Sequence, residues 1–78
     1  MGHDILAMLM EIRPEFDFED SSDFVMDGLL DSFDIISLIS MVEEKYGVKI
    51  DGLDIVPENF SSVDAIVALI RKSKGEVK

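Results

Sequence analysis

Ser32 is the side chain in this sequence best placed to do chemistry. It stands in Gly28-Leu29-Leu30-Asp31-Ser32-Phe33-Asp34, directly before the apolar run Ile35-Ile36-Ser37-Leu38-Ile39-Ser40-Met41-Val42. Asp31 has the residue type and position of a helix N-cap, Lys45 falls in the last turn, and Gly47 stops the helix. A hydroxyl at a helix start lies beside unpaired backbone N–H groups and the positive end of the dipole, a setting that favours a phosphate. Hydrolase chemistry is not indicated. No Gly-x-Ser-x-Gly elbow is present, and the only histidine, His3, lies next to the terminus. The residues alone leave two plain readings open: a phosphorylation site in an acidic setting, or simply the first residue of a capped helix.

The other candidate constellation is the acidic stretch Asp17, Glu19, Asp20 and Asp23. It fails the EF-hand template, since Ser22 occupies the sixth position from Asp17 and Gly28 the twelfth. No metal site is assigned, and weak divalent-ion binding by a crowded acidic loop stays open. The five methionines read as core filler.

Three helices must position Ser32. Ile5, Met8, Leu9 and Ile12 recur at helical spacing and predict a first helix over about residues 4–13, ended by Pro14. Residues 14–31 form a connection too long to stay structureless in a compact domain. Phe16, Phe18, Phe24, Val25, Met26, Leu29 and Leu30 show that it is no solvated linker and predict that it lies on the bundle with its aromatic side chains inward, around a short helical turn. The second helix, about 32–46, should bury Ile35, Leu38, Ile39, Val42 and Tyr46. Val48 and Ile50 then return the chain to the core, and a short helix is expected somewhere in 53–60. Ser61-Ser62-Val63-Asp64 has capping-box spacing and opens a last helix over about 62–73, with Val63, Ile66, Val67 and Ile70 as its stripe. The sum is an all-α fold: one domain over residues 1–78, a bundle of three main helices plus one short helix.

Phe33, Ile36, Ser37 and Ser40 fall on the face of the second helix turned away from this stripe. Large apolar residues on an outward face point to a partner, and Asp34, Glu43 and Glu44 give that face acidic ends.

Size and charge narrow the function classes. The 78 residues, 47% hydrophobic, suffice for a small helical core and argue against an acidic disordered tail. With no cysteine, neither disulfides nor thiolate metal sites are available, and thiol chemistry would need an added group. A net charge of −10 repels phosphate backbones and steers toward basic protein surfaces. No apolar run approaches a membrane span, and the amino terminus lacks signal-peptide character, so a cytoplasmic protein is expected.

Asp31-Ser32-Phe33 resembles the Asp-Ser-Leu attachment motif of acyl and peptidyl carrier proteins, with Phe33 where that family has leucine. The likeness runs along the chain: an amphipathic first helix, a long loop ending in Gly28-Leu29-Leu30-Asp31, and the serine at a helix start. Glu43-Glu44-Lys45-Tyr46-Gly47-Val48 resembles the acidic end of the family's second helix, and Phe60-Ser61-Ser62-Val63-Asp64-Ala65-Ile66 its entry into the final one.

The resemblance implies a carrier rather than an enzyme. Ser32 would bear a covalent 4′-phosphopantetheine arm derived from coenzyme A, making the chain a phosphoprotein, with cargo held as a thioester on the arm's thiol. Asp31 would cap the helix and mark the site for a phosphopantetheinyl transferase. Phe33, Asp34, Ile36, Ser37, Ser40, Glu43 and Glu44 would meet partners: an adenylate-forming ligase, or an acyltransferase or synthase. The domain is expected to be monomeric. The interval from Gly47 to Val63 is closer to stand-alone aminoacyl carriers, such as the D-alanyl carrier protein of teichoic acid modification, than to fatty-acid carriers. A fatty-acid or polyketide acyl carrier is the alternative. An acidic helical interaction module without a prosthetic group is the alternative of a different class.

Overall fold

The computed structural model describes residues 2–75. Among them are three α-helices, α1 (Gly2–Ile12), α2 (Ser32–Tyr46) and α3 (Val63–Gly75), with three short 3₁₀ turns and no strand. The expected all-α bundle forms, with α1 packed against both α2 and α3. Ile5, Met8 and Leu9 of α1, Leu38 and Val42 of α2, and Ile66, Leu69 and Ile70 of α3 are its buried centre. Leu69, outside the expected stripe, widens the apolar arc of α3. Ile35, Ile39 and Tyr46 are half-buried at the margin of the same cluster. Of the basic residues near the C-terminus, Lys78 lies outside the described residues.

α1 starts two residues before the expected boundary and stops at Ile12. The Arg13 N–H still reaches the Leu9 carbonyl at 2.9 Å, so Arg13 is held by the helix end even though Pro14 disfavours helical backbone there. The long connection is built rather than loose. Phe18 and Phe24 are buried and meet edge-to-face, with ring centres 5.1 Å apart. The Phe24 N–H donates to the Ser61 carbonyl at 2.7 Å, and its carbonyl accepts from Leu29 and Leu30. A 3₁₀ turn spans Phe18–Asp20. A second turn follows Asp23, whose carboxylate accepts from the Val25 and Met26 N–H groups at 3.1 and 3.0 Å. Gly28, at φ 78°, closes this turn in the left-handed region that favours glycine. Met26, read with the other methionines as core filler, instead stands at the outer corner of this turn and is 81% exposed.

The single short helix expected in 53–60 is instead two 3₁₀ turns, Gly52–Asp54 and Pro57–Phe60. Asp51 caps the first by accepting from the Leu53 N–H, and Pro57 opens the second with its ring-fixed φ. Lys72 of α3 ties Asp54 down at 3.0 Å. The entry to α3 also differs from expectation. The Ser62 hydroxyl accepts from the Ala65 N–H at 3.1 Å, so the cap falls one residue later than Ser61. Ala65, not Asp64, then stands third in the helix, and no capping box forms.

Leu38 is fully buried, so Leu38→Ala should destabilise the fold by about 2–5 kcal/mol in chemical denaturation, whereas exposed Ile36→Ala should stay within about 0.5 kcal/mol. Similar losses at the two positions would contradict this packing.

Candidate functional site

The site is the N-terminus of α2, fixed by a reciprocal pair of hydrogen bonds. The Asp34 N–H donates to Asp31 Oδ1 at 2.9 Å, and the Asp31 N–H donates to Asp34 Oδ2 at 3.2 Å. This is a capping box with aspartate in both roles, satisfying two backbone donors that the helix start would otherwise leave unpaired. Its inner member is sequestered: Asp34 is the buried charged side chain among the described residues, 7% exposed.

A buried carboxylate needs a partner, and α1 supplies one. Arg13 Nε donates to Asp34 Oδ2 at 2.9 Å, Nη2 to Asp31 Oδ2 at 3.4 Å, and Nη1 to Glu15 Oε2 at 3.3 Å. One guanidinium therefore joins the end of α1 to both acids of the capping box. The Asp34 N–H, aided by the Arg13 charge and opposed by desolvation, holds the Asp31 carboxyl below its ordinary range. The Asp34 carboxylate holds the Arg13 guanidinium above its ordinary value.

Between these acids stands Ser32, the first residue of α2, exposed and with a hydroxyl that makes no hydrogen bond among the described residues. Three of the other serines are occupied: Ser21 donates to Asp27 at 2.6 Å, Ser61 to the Glu58 carbonyl at 3.0 Å, and Ser62 caps α3. Beside Ser32 opens a groove of about 220 Å³ lined by Ile35, Ile36, Ile55, Val56 and Pro57. Of its lining, Ile36 and Ile55 are also solvent-exposed; Phe33, next to Ser32 in the chain, is 81% exposed, and Leu53, in the same connection as Ile55, is 86% exposed. Large apolar side chains left this exposed on a small acidic domain are the opposite of a solvated surface.

The residues expected on the partner face divide in two. Phe33, Ile36, Ser37, Ser40 and Glu44 are exposed. Asp34 faces inward, its carboxylate spent on Arg13 and the Asp31 N–H. Glu43 is half-buried, with Oε2 accepting from the Ile50 N–H at 2.9 Å, an internal staple across the Gly47 turn. Leu53, Ile55 and Arg13 were not singled out from the sequence. For Arg13 a signal existed, since it is the only lysine or arginine in the first 44 residues. The acids of the loop serve turns: Asp17 accepts from the Glu19 N–H, Asp23 caps Val25 and Met26, and Asp27 holds Ser21. Among the described residues, no three His, Cys, Asp or Glu side chains gather as a metal site.

Because the folded state holds Asp31 below its ordinary pKa of 3.8, folding favours the carboxylate. That contribution is complete above the ordinary value and drains as pH falls through the lower, folded one. Asp31→Asn keeps a capping oxygen but removes the titration. Its stability should therefore fall less steeply than wild type below pH ~4 in acid unfolding. Parallel curves would remove Asp31 from the acid response.

Comparison with curated protein sequences gives no match. The family model for the phosphopantetheine attachment site matches residues 3–70, a span that contains the capping box, Arg13, Ser32 and the groove. Domains of this kind hold 4′-phosphopantetheine covalently, are carriers rather than catalysts, and meet phosphopantetheinyl transferases and synthases or ligases. The chain therefore belongs to the phosphopantetheine attachment family, the family of acyl and peptidyl carrier proteins.

Proposed function

We propose that Ser32 is the attachment residue, and that the domain carries a short aminoacyl group loaded by an adenylate-forming ligase, as a D-alanyl-type carrier does. The observation that carries this reading is the free, exposed hydroxyl of Ser32 at the positive end of a helix whose cap is provided by the residue before it. The residues fit the group. The phosphodiester gains the favourable field of the helix N-terminus, and Asp31 already satisfies the Asp34 N–H, so the capping box stays intact. Attachment would form a bond from Ser32 Oγ to phosphorus and break the pyrophosphate link of coenzyme A, releasing adenosine 3′,5′-bisphosphate, while the hydroxyl proton passes to the transferase. When bound, the group supplies a thiol that holds cargo as a thioester.

This chain's part is presentation. Tethering cargo at Ser32 raises its effective concentration at each docked enzyme. The groove beside Ser32 offers an apolar wall of Ile35, Ile36, Ile55 and Val56. It is small and open beside a long acyl chain, which favours a short cargo, as does the length of the interval between Gly47 and Val63. Phe33 and Ile36 anchor a transient partner interface, widened by Leu53 and Ile55, while Glu44 contributes to approach toward basic surfaces. The domain works as a cytoplasmic monomer; no helix among the described residues is long and apolar enough to cross a membrane.

Incubation with coenzyme A and a broad-specificity phosphopantetheinyl transferase should add one arm to the wild type and none to Ser32→Ala, read by intact mass. Equal modification of both would overturn the assignment, and modification of neither would favour an interaction module without a prosthetic group. The mass of the arm-bound species from the native cell distinguishes an amino acid from the long acyl chain of a fatty-acid or polyketide carrier. Ile36→Ala should slow loading by the cognate ligase without lowering thermal stability. Glu44→Lys should slow it most at low salt, where screening is least. Wild-type loading by both variants would remove this face from the interface.

A further inference from the structure

Arg13 stands alone in charge. It is the only lysine or arginine among the first 44 residues, and its guanidinium is the basic group hydrogen-bonded to the attachment site. Its three partners, Asp34, Asp31 and Glu15, already set three carboxylates against one cation. Asp31 and Asp34 bracket Ser32 in the chain. If Ser32 is the attachment residue, as read above, modification places a fourth anion, the phosphodiester, among them. The helix dipole offers about half a unit of positive charge at this end, too little to offset that crowding. Arg13 is also built to stay in place. Its N–H is bonded to Leu9, it sits at the end of α1 where a cation is favoured, and a guanidinium keeps its charge at every physiological pH.

We propose that Arg13 is a positioning residue of the attachment site: the fixed counter-charge that keeps the capped N-terminus of α2 intact once Ser32 bears a phosphodiester. Its contribution to stability therefore grows on modification. Removing it from the unmodified protein exposes Asp34 as a buried, poorly paired carboxylate. Removing it from the modified protein does the same and also leaves the phosphodiester beside two uncompensated acids.

The test compares thermal unfolding of wild type, Arg13→Gln and Arg13→Lys, each before and after modification, with conversion at Ser32 verified by mass. Arg13→Gln should lower the melting temperature in both states, and by about 4 °C or more beyond that in the modified one. Arg13→Lys, which keeps the charge but not the fork, should recover that extra loss. The extra loss should also shrink as salt is raised. An equal loss in both states, or an extra loss that lysine does not recover, overturns the proposal. A wild type that takes no arm at Ser32 overturns the carrier reading instead, and mass shows this before any melting is done. Where Arg13→Gln does not fold, the wild type alone decides. Exchange of the Arg13 Nε–H with water, followed by NMR, should slow on modification, and an unchanged rate overturns the proposal.

Discussion

The proposed attachment site at the start of α2 rests on one carboxylate, that of Asp34. It closes the capping box with Asp31 and accepts the Arg13 guanidinium at 2.9 Å, the shortest of the contacts by which the end of α1 meets the start of α2. A buried charge without such partners would cost several kcal/mol. With them, the cost of burial is offset and the two helix ends are tied together by directional bonds. Helix termini are ordinarily the parts of a helix that fray. Here the first turn of α2 is held from both sides.

This arrangement leaves Ser32 free. Serine is a good cap residue, and Ser62 shows it in that role on α3. Were Ser32 itself the cap of α2, its hydroxyl would be engaged by the helix. Asp31 takes that position, Ser32 moves to the first helical residue, and its hydroxyl stays exposed at the positive end of the dipole. An apolar groove opens beside that hydroxyl, and the exposed Phe33, Ile36, Leu53 and Ile55 are the side chains proposed above to meet partners. A carrier must be recognised by several enzymes without binding any of them for long. A small apolar patch with charge around it suits brief, steered encounters.

What was legible in the sequence was periodic or local. The stripes Ile5-Met8-Leu9-Ile12 and Val63-Ile66-Val67-Ile70 located α1 and α3, and Asp31 with Gly47 marked both ends of α2. Gly47 does so by adopting φ 65°, a conformation that costs glycine little. What was missed depends on contacts distant in the chain. The role of Asp34 follows from Arg13, 21 residues away, although its i, i+4, i+8 spacing with the buried Leu38 and Val42 was a local signal that the side chain turns inward. Glu43 was assigned outward, although the Ile50 N–H across the turn claims it. The cap of α3 slipped from Ser61 to Ser62 because two adjacent serines offer equal local chemistry. Ser61 was taken by Glu58 and by the Phe24 N–H. Met26 resembles its apolar neighbours in type and differs only in standing at a turn corner.

The claim that the start of α2 is a pinned platform is tested most directly by native-state hydrogen exchange at the Asp34 amide, whose donor reaches Asp31 at 2.9 Å. If the capping box and Arg13 hold this turn, that amide should exchange with an opening free energy close to that of global unfolding, like the amides around Leu38. Exchange at the fast rate of a fraying terminus, with the amides of the α2 centre still protected, would contradict it.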